Sequence, residues 1–169
     1  FGFSVLKRGL GFTGGINMLQ LDASYNRYFD LGKKWYGILQ GGTKLKLPFR
    51  QAYINQRALG YNDYNLRGLE FYVVDGVASL LTKATLIRKL FAFDIPVPIK
   101  NKIVPKVPFA FYAKTFADAG YVHNEIPARA RLNNRFLYTG GLRIDMLTLY
   151  DINLKFEYSF NQLGQKGLF

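Results

Sequence analysis

The sequence predicts an all-β fold, a transmembrane antiparallel β-barrel, from three observations. Apolar and polar residues alternate with a period of two over long segments, which is typical of strands with one apolar face. These segments run for about 10–15 residues, longer than the ~5–6 of ordinary globular strands and enough for the ~9–11 of a membrane-crossing strand. Aromatic residues make up 17% of the chain, and they favour strands and the interfaces of membrane barrels.

The alternation predicts the strands in chain order. It is clearest from Leu19 to Asn26 and from Tyr150 to Asn161, whereas 34–47 is weaker and 1–8 is apolar without a clear pattern. In 79–93 the pattern is mixed, because Arg88 shares the parity of the apolar residues. The predicted strands are 1–8, 19–26, 34–47, 79–93, 107–118, 135–146 and 150–161.

Glycine, proline and asparagine mark the predicted reversals of the chain. The candidate turns are Gly14-Gly15, Gly32-Lys33, Pro96 to Pro108, Asn124 to Asn134 and Leu147 to Tyr150. Two connections are long, one from Pro48 to about Gly76 and one from Ile95 to Lys106. Membrane barrels have short turns at one end and long loops at the other, and a loop as long as the first usually carries function or is disordered.

The net charge of the chain limits the classes of partner that it would suit. The 23 Lys and Arg against 11 Asp and Glu give a formal charge of +12, which suits nucleic acid, anionic lipid or the lining of a water-filled barrel. The charges alternate with apolar residues along strands, which favours the lining, and nucleic acid is not an expected partner. The inward-facing basic residues are Lys44, Lys46, Lys114, Arg143 and Lys155, and their expected partners are Asp22, Asp145 and Glu157.

Three segments carry a family resemblance. Leu66-Arg67-Gly68-Leu69, in the first long loop, resembles the Arg-Gly motif in the sixth extracellular loop of the Omp85 superfamily. Phe116-Ala117-Asp118-Ala119-Gly120 is similar to the family's Phe-x-Asp-x-Gly segment. Gly140 to Asp145, followed by Leu154 to Tyr158, resembles the last-but-one hairpin, and the order of all three agrees with the family.

The resemblance implies a fold and a function. Residues 1–169 would be the C-terminal strands of a sixteen-stranded barrel in the outer membrane of Gram-negative bacteria, with the loop at about 48–76 folded into the lumen. The implied function is insertion or transport of outer-membrane proteins by strand pairing at a barrel seam. The implied partners are outer-membrane lipid, the remaining strands and periplasmic POTRA domains of the same protein, client outer-membrane proteins and accessory lipoproteins.

The chain also departs from the family. Leu69 stands where the loop motif has an aromatic residue, and Lys166 to Phe169 looks like the beginning of the terminal strand, so the ends look incomplete. In the family, the loop arginine pairs with the aspartate of the second segment, which corresponds here to Arg67 and Asp118. The resemblance also carries over Phe116 and Gly120 from the second segment.

Physical chemistry gives an independent reason for this pair. Asp118 lies on the polar parity of its strand and should point inward, and an arginine on a loop tucked into a lumen needs a partner that replaces water. The alternative interpretation is a solvated Arg67 on the loop and Asp118 as an acid beside a turn.

Catalysis has little support in the sequence. The single histidine, His123, lies next to a predicted turn, and no nucleophile elbow, phosphate-binding loop or zinc-protease motif is present. Glu70 and Asp75 suit turn caps or ion pairs better than a metal site, and the chain lacks cysteine ligands. We therefore expect no enzyme activity, catalytic residue, metal or cofactor. The alternative functions are a passive channel that favours anions, a barrel that anchors or exports a fused passenger or enzyme domain, and a soluble barrel that binds an apolar ligand.

Overall fold

The computed structural model describes residues 1–9, 17–62, 64–96, 106–125, 132–148 and 152–168. Strands dominate this part of the chain, with one short 3-10 turn at Tyr53–Asn55. Among the described residues, no helix has the length and apolar character that crossing a membrane requires. The strands are β1 (Gly2–Arg8), β2 (Met18–Gly32), β3 (Trp35–Leu47), β4 (Arg57–Leu59), β5 (Val74–Asp75), β6 (Ala78–Pro96), β7 (Lys106–His123), β8 (Phe136–Leu147), β9 (Asn153–Asn161) and β10 (Lys166–Leu168).

Eight of these strands form one antiparallel sheet in the order β1-β2-β3-β6-β7-β8-β9-β10. The order follows the chain, except that β4 and β5 pair with each other inside the connection between β3 and β6. The prediction of an all-β antiparallel fold is thereby confirmed. Within the described residues β1 and β10 do not pair with each other, so the sheet stays open at both edges.

One predicted turn is confirmed, and another has ends that the structure assigns to strands. The turn at Gly32-Lys33 is confirmed, with positive φ at Gly32, Lys33 and Lys34. The predicted turn from Pro96 to Pro108 is too wide at its described ends, because β6 continues to Pro96, β7 begins at Lys106 and Pro108 pairs with Asp94. Residues 97–105 of that turn lie outside the described residues. Pro108 is tolerated there because β7 pairs with β8 only from Ala110 onward, so its missing N–H breaks no ladder on that edge.

Two further predicted turns lie outside the described residues, in whole or in part. Gly14-Gly15 lies in the 10–16 gap, and the link from Leu147 to Tyr150 enters the 149–151 gap. Asn124 to Asn134 does separate β7 from β8, and the ambiguous segment 1–8 is strand β1.

A β-bulge explains the mixed alternation in 79–93. The register between β6 and β7 shifts between Lys89 and Phe91. Before the bulge, Leu80 and Leu86 share a face, and after it Phe91 and Phe93 continue that face on the opposite parity. A bulge adds one residue to one strand and so exchanges the parity of everything beyond it. The apolar face is therefore continuous, although the sequence alternation is not.

The sheet has two unlike faces. The long loop (residues 48–77) packs on one face, which we call the covered face, and no other part of the described chain covers the opposite, open face. The hydrophobic core lies between the loop and the sheet. Its buried members are Ala58, Leu59, Leu66, Leu69, Val74, Leu81, Val122, Leu132 and Leu137.

Candidate functional site

The conformation of the long loop depends on two glycines in the left-handed region. Gly60 has a φ of +86°, and a Cβ there would lie 2.2 Å from the backbone oxygen of Tyr72. Gly68 has a φ of +78°, and the N–H of Leu69 donates to the oxygen of Leu66 at 3.1 Å, which closes a turn around Arg67. Residues other than glycine rarely adopt this φ. Glycine is therefore required at Gly68, in the turn around Arg67, and at Gly60, where the chain lies against the backbone of Tyr72.

The turn presents Arg67 to Asp118 on β7. The Arg67 Nε–H donates to Asp118 Oδ2 at 2.8 Å, and its backbone N–H donates to the same oxygen at 3.1 Å. The Nη2 group contacts Oδ1 as well. The Asp118 side chain is fully buried and that of Arg67 is 18% exposed. Two charges removed from water in this way are stabilised only if they are well paired, and here both carboxylate oxygens are occupied.

Neighbouring strands hold the remaining parts of the guanidinium. Arg67 Nη1 donates to Thr85 Oγ1 on β6 at 2.9 Å. The guanidinium carbon lies 4.1 Å from the centre of the Phe116 ring on β7. That ring in turn lies over Gly141 on β8, where a Cβ would come within 2.6 Å of the ring. Arg67 is thus fixed from three sides, by a carboxylate, a hydroxyl and an aromatic ring supported by a glycine.

The other residues predicted for the site surround this contact. Leu66 and Leu69 belong to the core, and Gly120 leaves room for Leu66, whose Cδ1 would be 3.1 Å from a Cβ at that position. The oxygen of Gly68 accepts a hydrogen bond of 2.8 Å from Asn161 Nδ2 on β9. The structure therefore brings together all seven predicted residues, Leu66, Arg67, Gly68, Leu69, Phe116, Asp118 and Gly120.

A second loop contact was missed in the sequence. Tyr64 donates its hydroxyl to the oxygen of Gly42 on β3 at 2.8 Å, and a Cβ on Gly42 would lie 2.6 Å from the tyrosine ring. Lys44 Nζ lies 4.2 Å from the centre of that ring. Burial raises the pKa of Tyr64 to about 12. The only signal in the sequence was the glycine pair Gly41-Gly42 within a weakly alternating strand.

The inward charges on β7, β8 and β9 form a compact network on the covered face. Lys114 Nζ lies 2.5 Å from Asp145 Oδ2, and Arg143 Nε lies 2.8 Å from Asp145 Oδ1. Arg143 also reaches Glu157 at 3.5 Å. This agrees with the expectation that Lys114 and Arg143 pair with Asp145 and Glu157.

A groove of about 640 Å³ remains open on the covered face beside the loop. Its polar lining includes Asp22, Lys44, Tyr61, Tyr64 and Lys83. Lys83 donates to Asn65 at 3.2 Å, and Tyr61 donates to Asp75 at 2.5 Å. These contacts suit a polar interior beside the loop.

The acids considered for a metal have other roles. Asp75 accepts the Tyr61 bond, and Glu70 accepts a bond of 2.7 Å from the N–H of Gly68, as a turn cap does. In the described ranges no three His, Asp or Glu side chains group closely enough to hold a metal ion. His123 packs edge-on against Phe49 with ring centres 6.1 Å apart. Together, the contacts of the long loop brace it against four strands, β3, β6, β7 and β9.

Comparison with known proteins adds no relative. No family model, curated protein or solved structure matches the chain. The function is therefore inferred from the residues and contacts described above.

Proposed function

We propose that the chain forms the C-terminal strands of an Omp85-type barrel, sixteen strands in all, that inserts or transports outer-membrane proteins of Gram-negative bacteria. The observation that carries the proposal is the long loop fixed to the sheet by Arg67 on buried Asp118. A loop motif and a strand motif, 51 positions apart, meet in the way that the resemblance implies. No bond chemistry, metal or cofactor is required.

The open face supports a membrane location. No acidic residue of the described strands lies on it, and its large apolar side chains stay exposed, for example Leu142 and Phe156 at 62% each. An apolar face of this extent is unfavourable in water and suits contact with lipid. The charged residues on the open face, assigned from the strand register, are Lys7, Arg27, Arg88 and Lys166.

The two arginines of the open face are partly shielded by aromatic rings. Arg27 lies 4.9 Å from the centre of the Phe29 ring, and Arg88 lies 5.0 Å from the Trp35 ring. Both lie in the half of the sheet nearer the turn at Gly32–Lys34. Long basic side chains can keep their heads at a membrane surface while their stems lie along apolar surface.

The loop contacts suggest how such a barrel would work. They extend from Gly42 on β3 to Asn161 on β9, so the loop ties together the central strands of the sheet. A strand edge left unpaired is a template for another strand. In this proposal the loop keeps the central strands rigid while the seam of the whole barrel opens and pairs with a client strand.

The proposed partners follow from this mechanism. They are outer-membrane lipid on the open face, the remaining strands and POTRA domains of the same protein, client outer-membrane proteins at the seam, and accessory lipoproteins. Nucleic acid is not among them.

The test is protease-protected folding of a client barrel in liposomes that contain the whole protein. We expect the unaltered protein to accelerate client folding, and Arg67→Ala to abolish most of the acceleration with its own barrel intact. The matched control is Arg50→Ala in the same loop, since the Arg50 side chain is 87% exposed, and it should behave like the unaltered protein.

Other outcomes would contradict the proposal. Ion conductance without accelerated client folding would favour the anion channel, and the absence of both would favour an anchor or exporter of a fused domain. Equal loss of acceleration in the Arg50→Ala and Arg67→Ala variants would remove the specific role of the loop motif.

A further inference from the structure

One side chain holds the turn between β9 and β10. Asn161, the last residue of β9, is 8% exposed. Its Oδ1 accepts hydrogen bonds from the N–H groups of Leu163 at 3.0 Å and Gln165 at 3.2 Å. Its own N–H donates to the backbone oxygen of Gln165 at 3.1 Å. Asparagine is favoured in turns because its side-chain oxygen accepts from backbone N–H groups further along the chain, and the turn before β10 therefore depends on this residue.

The same amide also holds the long loop. Asn161 Nδ2 donates to the oxygen of Gly68 at 2.8 Å and to Gln165 Oε1 at 3.1 Å. The amide nitrogen of Gln165 in turn donates to the Tyr72 hydroxyl at 2.7 Å. The Asn161 side chain thus uses both of its N–H donors and both acceptor positions of its oxygen. The turn is tied to the loop at two points, Gly68 and Tyr72.

The direction of these bonds requires an amide at position 161. The nitrogen faces a carbonyl oxygen and the oxygen faces N–H groups, so the two ends of the amide cannot be exchanged. A carboxylate of the same shape can still accept from Leu163 and Gln165, but it cannot donate to Gly68. It places two oxygens against each other at a buried position, which is unfavourable. An aspartate here therefore keeps the turn and breaks the link to the loop.

Strand β10 is the strand most sensitive to a change at this turn. It pairs with β9 through Lys166, Gly167 and Leu168, and no described strand pairs with its outer edge. Three paired residues contribute little stability of their own. The neighbouring strand β8, by contrast, pairs with β7 on one side and with β9 on the other. Local opening of the sheet should therefore be easier at β10 than at β8.

The turn at Leu66–Leu69, which we call the motif turn, links this network to the Arg67 contact. Arg67 binds Asp118 on β7, and the next residue, Gly68, accepts from Asn161 on β9. A Cβ on Gly68 would lie 3.2 Å from the Ser159 side chain, so the motif turn lies directly against β9. Because Arg67 and Gly68 are adjacent, a motif turn that leaves Asp118 also removes the acceptor of Asn161.

We propose that Asn161 is a positioning residue that couples the docking of the motif turn to the pairing of the edge strand β10. With Arg67 on Asp118, the Asn161 amide is fully bonded and β10 stays paired with β9. With the motif turn undocked, β10 separates from β9, and the freed edge of β9 becomes a template for another strand. The coupling follows from the contacts, and its use in admitting a client strand rests on the proposed function.

Hydrogen–deuterium exchange of the whole protein in liposomes tests the coupling. Amide exchange of residues 166–168 reports the opening of β10, and exchange of the β8 amides reports the integrity of the sheet. At a pH of about 8, where a new carboxyl group is ionised, we expect Asn161→Asp to accelerate exchange in β10 about tenfold and to leave β8 unchanged. Arg67→Ala, at a residue remote from β10 in the sheet order, should accelerate the β10 amides more than those of β8.

The matched control is Gln162→Glu, the same change from amide to carboxylate one residue later. Gln162 Oε1 accepts from the N–H of Tyr138 at 2.8 Å, which a carboxylate can also do. Within the described part of the chain, no hydrogen bond joins the Gln162 side chain to the long loop. Exchange in β10 should therefore stay within about twofold of that in the unaltered protein.

Three results would overturn the coupling. Acceleration by Asn161→Asp without acceleration by Arg67→Ala would show that Asn161 supports the turn alone. Equal acceleration by Gln162→Glu would show an effect of charge at the turn, and unchanged exchange in all variants would show that β10 does not depend on the loop. Because the experiment contains no client, these results are independent of the client-folding assay, whose failure would contradict the proposed function and leave the coupling in place.

Discussion

The two faces of the sheet are built on different principles. On the covered face, side chains have particular partners at short distances, as Arg67 has in Asp118 and Thr85. On the open face, large residues such as Leu142 and Phe156 leave most of their surface exposed. The first arrangement depends on shape and hydrogen-bond geometry, and the second depends only on the apolar character of the medium.

This difference predicts opposite sensitivities. The covered face should tolerate little change in volume or in hydrogen-bonding groups, because close packing leaves no room for adjustment. In the proposed membrane location, the open face should tolerate changes of apolar shape, because lipid chains are fluid. Substitutions at matched positions on the two faces therefore test this difference.

The largest expected effect is that of Asp118→Ala. It leaves the Arg67 guanidinium enclosed without a counter-charge, which should lower the free energy of unfolding by ~3–5 kcal/mol. Urea unfolding in detergent micelles measures the change. Adding Arg67→Ala to the Asp118→Ala variant should recover part of the loss, because the unpaired charge is then removed. Strict additivity of the two substitutions would contradict a direct pair.

A smaller effect is expected at a pair of adjacent glycines on opposite faces of β3. Gly42→Ala places a methyl group 2.6 Å from the Tyr64 ring, whereas at Gly41 the nearest atom would be 3.8 Å away. Overpacking of this kind typically costs ~1–3 kcal/mol. Gly42→Ala should therefore destabilise the protein in the same urea experiment, while Gly41→Ala leaves it nearly unchanged. Equal effects would show that the loop does not pack on Gly42.

Parts of this fold followed from the sequence because they are local. Alternation identified the faces of β7, β8 and β9, and with them the inward direction of Asp118. The loop motif could be located because a long interruption of the alternation surrounds Arg67. In both cases neighbouring residues carried the whole signal.

Other parts could not be predicted because they depend on register between distant segments. The bulge at Lys89–Phe91 exists only relative to β7, and without it Phe91 falls on the wrong parity. Pro108 looked like a turn residue because the sequence does not show that its edge of β7 is unpaired there. The contact of Tyr64 with Gly42 requires a loop conformation that cannot be predicted from either residue.

The most direct test of the membrane location is a spin-label scan along β8 in liposomes. The chain has no cysteine, so single cysteines at successive positions from 136 to 147 can each carry one label. We expect accessibility to oxygen to peak at even positions, including Leu142 and Ile144 on the open face. Positions such as Thr139 and Arg143 should be protected from it. Even positions that are instead accessible to a water-soluble nickel reagent and not to oxygen would contradict a lipid-facing sheet.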